Sequence, residues 1–360
     1  MIDCSIAGVV RTAVVTALFL TFGPHRPLDA FEAEALCFRG VNISGAEYGA
    51  KDGIHGTNYI YPSEKTVRYF AGKGMDSVRL PFLWERLQPQ LNGPLDGAEL
   101  SRLHAAVDLI SRHGMTVILD PHNFAYYDGK RIGTAEVSAF AFGDFWTRLA
   151  FEFANRDGIV FGLMNEPFDI GATEWLDAAN AAIRGIRATG AGNLVLVPGT
   201  SWSGAHSWES EREGGSNGTV MLGIEDPRDN YAYEFHQYLD EDSSGTHDGC
   251  VNAQGAVQAI VRVTDWLRRH DKRGFLGEFG GGQGPQCLEG LANFVKTIDD
   301  NRDVWLGWTY WAAGDWWPTD ETNHIQPTAK GDRKQLAALM APGGGKRSGA
   351  GSCALIPPAR

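Results

Sequence analysis

Two glutamates end short apolar runs, and together they offer the chemistry of a carboxylate pair. The first run, Val160–Pro167, reads VFGLMNEP and closes on Asn165, Glu166 and Pro167. A short apolar run closed by a turn signal reads as a buried strand. Pro167 cannot donate to a sheet ladder, so it sets the strand's end. On this stretch alone, a solvated glutamate at a helix N-cap fits as well. The second run, Gly274–Gly281, reads GFLGEFGG and ends on Glu278 followed by glycines. Two carboxylates that meet in one site divide the work when one stays protonated and the other ionised. A neighbouring cation and hydrogen-bond donors favour the ionised form, and burial or a like charge favours the protonated one.

Other strand ends supply those neighbours. Arg79 lies inside SVRLPF, His122 and Asn123 close TVILDPHN, His236 and Tyr238 close YAYEFHQY, and Trp311 lies in VWLGWTYWAA. An arginine in a buried strand is costly unless paired, so Arg79 is expected to have a carboxylate partner. Taken singly, each residue has a structural explanation: a satisfied histidine, a turn-capping Asn165, a core tyrosine, a floor tryptophan. Their recurrence at successive strand ends is what points to a site.

The elements that must position them alternate. Strands are expected at Cys37–Ser44, Ser77–Phe82, Thr116–Asn123, Val160–Pro167, Asn193–Gly199, Tyr231–Tyr238, Gly274–Glu278 and Val304–Ala313. Helical spacing is read at Ser63–Ala71, Leu95–His113, Ala135–Asn155, Thr173–Thr189, Ala256–His270, Leu288–Asn301 and Arg333–Met340. Alternating strands and helices imply a parallel sheet. Eight units, with no GxGxxG after the first strand, favour an α/β fold of the closed (β/α)8 TIM-barrel type. Such a barrel takes about 250 residues, which one domain over 37–341 supplies.

The rest of the chain bounds its setting. Net charge is −12, which argues against nucleic acid and anionic membranes as partners. Thr12–Phe22 follows Arg11 as an apolar run of signal-peptide length, too short to span a bilayer comfortably. Residues 1–35 are therefore read as an export segment, with an uncleaved anchor as the rival, and the protein as secreted, extracellular or periplasmic. Of five cysteines, Cys4 falls in that segment, and an exported chain could pair Cys250 with Cys287. Cys37 and Cys353 are left to pair or stay free. No CxxC or His-rich spacing suggests zinc, and neither a metal nor a cofactor is expected. Residues 342–360 are a Gly- and Ser-rich tail, expected to be flexible. Monomer is the default expectation. The 11 tryptophans concentrate in 201–208 and 305–317, and Trp316 and Trp317 sit in a loop-like context. Exposed flat aromatics suit sugars, which makes Trp202, Trp208 and Tyr126 weaker candidates for stacking.

Taken together, these motifs resemble glycoside hydrolase family 5. Asn165–Glu166–Pro167 matches the family's Asn-Glu-Pro after strand four, and Glu278 its second glutamate. Arg79, His122, His236, Tyr238 and Trp311 match its other site residues. The resemblance runs from about Phe38 to Met340 and is greatest to the fungal-type endoglucanases, through GVNISGAE, VRLPFLWERLQ, DPHN, HQYLDEDSSGTH and WAAGDWW. It implies a (β/α)8 barrel that retains configuration while hydrolysing internal β-1,4-glucosidic bonds of cellulose or soluble glucans. Glu166 would be the acid/base and Glu278 the nucleophile. It also implies a Cys250–Cys287 bond. Rival readings are the same chemistry on mannan or xylan, a non-catalytic glycan-binding barrel, and a metal-dependent hydrolase using His122 and His236.

Overall fold

In the computed structural model, which describes Met1, residues 36–154 and residues 156–340, eight strands close into a parallel barrel. They are β1 (Phe38–Ile43), β2 (Ser77–Phe82), β3 (Thr116–Pro121), β4 (Ile159–Gly162), β5 (Val195–Pro198), β6 (Tyr231–His236), β7 (Gly274–Glu278) and β8 (Trp305–Ala313). Each pairs with its neighbours in chain order, and β8 returns to β1. The expected strands are all present. The expected export segment (Met1 apart), the tail, Cys4 and Cys353 lie outside the described residues.

Helices α1 (Glu64–Gly72), α2 (Gly97–Arg112), α3 (Ala139–Phe153), α4 (Ala172–Ala188), α5 (Ala253–Arg269), α6 (Pro285–Asp300) and α7 (Lys334–Leu339) pack outside the barrel. Local chemistry sets their starts. Ser63 and Ser138 accept from the third amide along, and Asp96 from the second and third, each satisfying donors the first turn leaves open. Ser138 explains why α3 begins four residues after the expected Ala135: Ile132 bridges Val137 first, and the helix cannot start until that turn ends. Pro285 opens α6 three residues before the expected Leu288, a position where its missing N–H costs nothing.

Between β5 and β6 only short turns replace a full helix (Ala205–Ser207, Asn217–Val220, Met221–Gly223). Here Arg187, at the end of α4, ties the connection down. Its Nε and Nη2 bond the two Asp226 oxygens at 2.8 and 2.7 Å. Its Nη1 and Nη2 also donate to the carbonyls of Ala191, Asn193 and Asn230.

The barrel interior is layered. Phe38, Ile118, Val160, Leu194, Leu196, Ala232, Phe275 and Leu306 form a closed apolar cluster. Strand side chains alternate faces, so the next residues on the same side are Gly40, Asp120, Gly162, Glu234 and Gly277, with Arg79 among them. The usual filling at this depth is branched and apolar; here it is charged and glycine-rich. That polar layer is the platform under the site.

Breaking the Arg187–Asp226 pair removes one partner of a buried ion pair. Asp226→Asn should destabilise the protein by about 3 kcal/mol near neutral pH, read from urea midpoints. Burial raises the Asp226 carboxyl, but Arg187 and the Arg228 and Asn230 amides outweigh it and hold the group below its ordinary value. Its contribution is therefore fully present above the unfolded carboxylate range of about 4. The gap between parent and variant should close as pH falls below that value.

Candidate active site

Every expected catalytic side chain leaves the same, C-terminal end of the barrel. Glu166 follows β4 with φ at 43°. That left-handed backbone is uncommon for a residue with a side chain and costs of order 1–3 kcal/mol. Residues preceding proline also avoid the helical regions. Asn165, one residue earlier, is anchored by its N–H to the Pro121 carbonyl at 2.9 Å. Glu278 ends β7, and the Gln237 amide donates to its carbonyl at 3.0 Å.

The two glutamates meet. Oxygens of Glu166 and Glu278 and a ring nitrogen of His236 all lie within 4.8 Å of one another. His236 Nδ1 is 2.7 Å from Glu166 Oε1 and 3.6 Å from Glu278 Oε2. Glu278 accepts from Arg79 Nη1 at 2.8 Å and from the Tyr238 hydroxyl at 2.8 Å. Burial raises the Glu278 carboxyl above its ordinary value, against the pull of His236 and Arg79 and with the push of Glu166. Burial, Glu278 and Glu166 push the Tyr238 hydroxyl well up, so it remains a donor. The loop after β6 passes close over the Tyr238 ring at Gly245, where a Cβ would lie 2.5 Å from the ring.

Arg79 is fully buried and has the partner its position demanded, several times over. Besides Glu278, its Nη1 and Nη2 donate to Asn42 Oδ1 at 3.0 Å and Asn165 Oδ1 at 2.9 Å. Its guanidinium also makes 3.0 Å ion-pair contacts with Asp120 Oδ2 and Glu234 Oε1. Asp120 in turn holds His122 Nδ1 at 2.8 Å. Burial opposes charge on His122, yet Asp120, Glu278 and Glu47 outweigh it and raise its pKa. His122 stacks on Trp311, ring centroids 5.2 Å apart and 15° from parallel.

The remaining candidates divide. Trp202 is 53% exposed and stacks on Phe168 at 5.3 Å and 6°; residues 201–203 all have positive φ, which displays the ring. Tyr126 packs beside Phe168 and donates to Asp169 at 3.0 Å. Trp208 is a correction: it is 1% exposed, enclosed by Tyr233, Phe235 and Trp266. No face is left for a sugar, because the ring is packed between β6 and Trp266 of α5. Asn123 also turns away from the pair: its Oδ1 accepts from the Trp84 amide at 2.8 Å, and its amide bonds Glu85. It secures the turn after β2. Cys250 and Cys287 are bonded, their Cα atoms 5.1 Å apart, and Cys37 is disulfide-bonded as well.

Sequence reading missed Asp120, Glu234, Glu47 and Phe168. Asp120 and Glu234 each sit two residues before a site histidine, on the same strand face. That spacing, in an otherwise apolar strand, was the available signal. Glu47 lies beside the site, its oxygens taking bonds from Ser44 and the Gly45 amide. For a metal, Glu166, His236 and Glu278 offer one atom each, as do Asp240, Asp242 and His247 in the loop after β6. In the first set the oxygens of Glu278 are already engaged by Arg79 and Tyr238, and a cation would displace those donors. Asp240 is likewise engaged, by Ser244, Gly245 and His247.

A parallel eight-stranded barrel with a carboxylate pair, a buried arginine and aromatic rings at its mouth is the architecture of a barrel glycoside hydrolase. Residues 32–314 match the model of the cellulase family, glycosyl hydrolase family 5, and the chain belongs to that family. It is 37% identical to endo-beta-1,4-glucanase B of Emericella nidulans over 294 residues, covering 81% of this chain and 86% of that protein. Among solved structures, XacCel5A in complex with cellopentaose superposes with a TM-score of 0.83 at 47% identity, covering 85% of this chain and 98% of that one. An endo-beta-1,4-glucanase from Xanthomonas axonopodis pv. citri gives 0.82 at 48% identity, covering 84% and 97%.

Tyr238→Phe removes one of the two donors that favour ionised Glu278. The acid limb of the kcat/KM–pH profile should therefore move to higher pH, by about one unit, the worth of a hydrogen bond to a charged group.

Proposed function

We propose that this protein is a secreted, retaining endo-β-1,4-glucanase acting on cellulose and soluble β-glucans by double displacement. The observation that carries the mechanism is the closeness of the two glutamates, whose oxygens come within 4.8 Å. Retaining glycosidases hold their carboxyls about 5–5.5 Å apart, and inverting enzymes about 6.5–9.5 Å to admit a water. The substrate class rests on family membership and on the named activities of the relatives. Export is supported by the apolar run at Thr12–Phe22 and by the Cys250–Cys287 bond, since disulfides persist in oxidising compartments.

In the first step a Glu278 oxygen attacks the anomeric carbon and the glycosidic C–O bond breaks. The Glu166 proton passes to the departing oxygen, leaving a glycosyl ester on Glu278 and an ionised Glu166. In the second step water attacks the same carbon and gives its proton to Glu166. The ester bond breaks and Glu278 regains its carboxylate. Arg79 and Tyr238 stabilise that carboxylate through the two 2.8 Å bonds. Asn165, oriented by Arg79, is placed to bond the sugar 2-hydroxyl, a contact that strengthens in the transition state. His122 orients neighbouring hydroxyls. Trp311 supplies a floor on the non-reducing side, and the Phe168–Trp202 stack, with Tyr126 beside it, a surface for further sugars.

The test is reducing-end release from soluble β-1,4-glucan, mannan and xylan, with Glu278→Ala and Glu166→Ala alongside. Glucan should be cleaved, and each variant should lose at least about a thousandfold in kcat. Proton NMR of the first product should show the β-anomer. An α-anomer would refute retention, and activity confined to mannan or xylan would refute the glucanase assignment.

A further inference from the structure

Glu234 is fully buried in the barrel's polar layer and takes no part in the double displacement. Its Oε1 lies 3.3 Å from His236 Nε2 and 3.0 Å from Arg79 Nε, and its Oε2 has no hydrogen-bond partner. The neighbouring strand makes room for it. A Cβ on Gly277 would lie 2.1 Å from Glu234 Oε1 and 2.7 Å from its carboxyl carbon. A carboxylate in the centre of a barrel is expensive unless paired, and the partners of Glu234 are Arg79 on one side and His236 on the other. The other nitrogen of His236 faces the proposed acid/base: Nδ1 to Glu166 Oε1, 2.7 Å.

We propose that Glu234 is a positioning residue that keeps His236 doubly protonated, so that His236 presents an N–H to Glu166 as negative charge develops there. The inference rests on the acid/base reading of Glu166. As Glu166 gives its proton to the leaving oxygen, an imidazolium held 2.7 Å away stabilises the new carboxylate without rearrangement. A histidine with no carboxylate behind it would present that donor only in one tautomer. The logic is that of a buried acid orienting a catalytic histidine, applied here to a glutamate.

The groups facing His236 are Glu234 on its own strand, Glu166 after β4 and Glu278 on β7, with Asp120 of β3 acting electrostatically; Arg79 on β2 and Tyr238 beyond β6 reach it through Glu234 and Glu278. Burial lowers the His236 pKa, but Glu278, Glu166 and Glu234 together push it up to about 10. Glu234→Gln keeps the side chain's shape and removes its charge.

Two measurements on the full-length protein test this. The first is the pH titration of the His236 ring nitrogens by nitrogen-15 NMR. The ring should stay doubly protonated through neutral pH in the parent and titrate at least about one unit lower in Glu234→Gln. The second is kcat/KM for soluble glucan and for an aryl cellobioside with a dinitrophenolate leaving group, which needs no proton. Glu234→Gln should lose about tenfold or more on glucan and stay within about twofold of the parent on the aryl substrate. Glu166→Gln is run beside it. If Glu166→Gln lacks that split, the acid/base reading itself fails. If Glu166→Gln shows it while Glu234→Gln loses equally on both substrates, or leaves the His236 titration unmoved, the inference about Glu234 is overturned alone.

Discussion

A guanidinium with no access to water sits at the centre of this barrel, and the arrangement above it depends on that charge. Arg79 contacts three carboxylates, Asp120, Glu234 and Glu278, and two asparagines, Asn42 and Asn165. Each of those carboxylates, buried alone, would give up its charge rather than bear the desolvation. Gathered around a planar cation with five donors, they share one solution. The histidines then extend the network upward: His122 stands on Asp120 and His236 on Glu234. Two strands thus present the same device, an acid at one inward position and a histidine at the next.

Much of this was legible in the chain itself. The strand positions followed from short apolar runs, and the helices from apolar spacing and capping residues. Arg79 announced a carboxylate partner because an unpaired buried arginine is untenable. The Asp120 and Glu234 carboxylates were not read, although the same argument applied to them. Turn signals mark strand ends, whereas the places of these two acids are set by alternation within the strand. Trp208 failed for the opposite reason. Its neighbourhood is rich in tryptophan, but the chain alone does not tell which rings turn to the helices and which to the mouth. Trp202 is displayed because residues 201–203 adopt left-handed backbone, and no composition argument reaches that.

Glycine carries as much of the design as the charged groups. In the layer where a barrel ordinarily stacks branched side chains, Gly277 leaves volume for the Glu234 carboxylate, and Gly40 lets β1 lie close against Ser77 of β2. A polar layer of this kind cannot be introduced one residue at a time, because each charge needs both its counter-charge and its space. Family membership and this interdependence fit together: the site and the barrel's filling are one construction rather than a site laid on a finished scaffold.

The Cys250–Cys287 bond lies between the two loops that carry the partners of the nucleophile's neighbourhood. Cys250 ends the segment that packs over Tyr238, and Cys287 stands in the first turn of α6, nine residues beyond Glu278. Gly281, between them, approaches both cysteines. Oxidation of these thiols therefore joins the rim of β6 to the rim of β7. Two segments 37 residues apart in the chain become one covalent hoop around the mouth, so the loops that flank the Tyr238–Glu278 contact cannot part from each other without straining a bond.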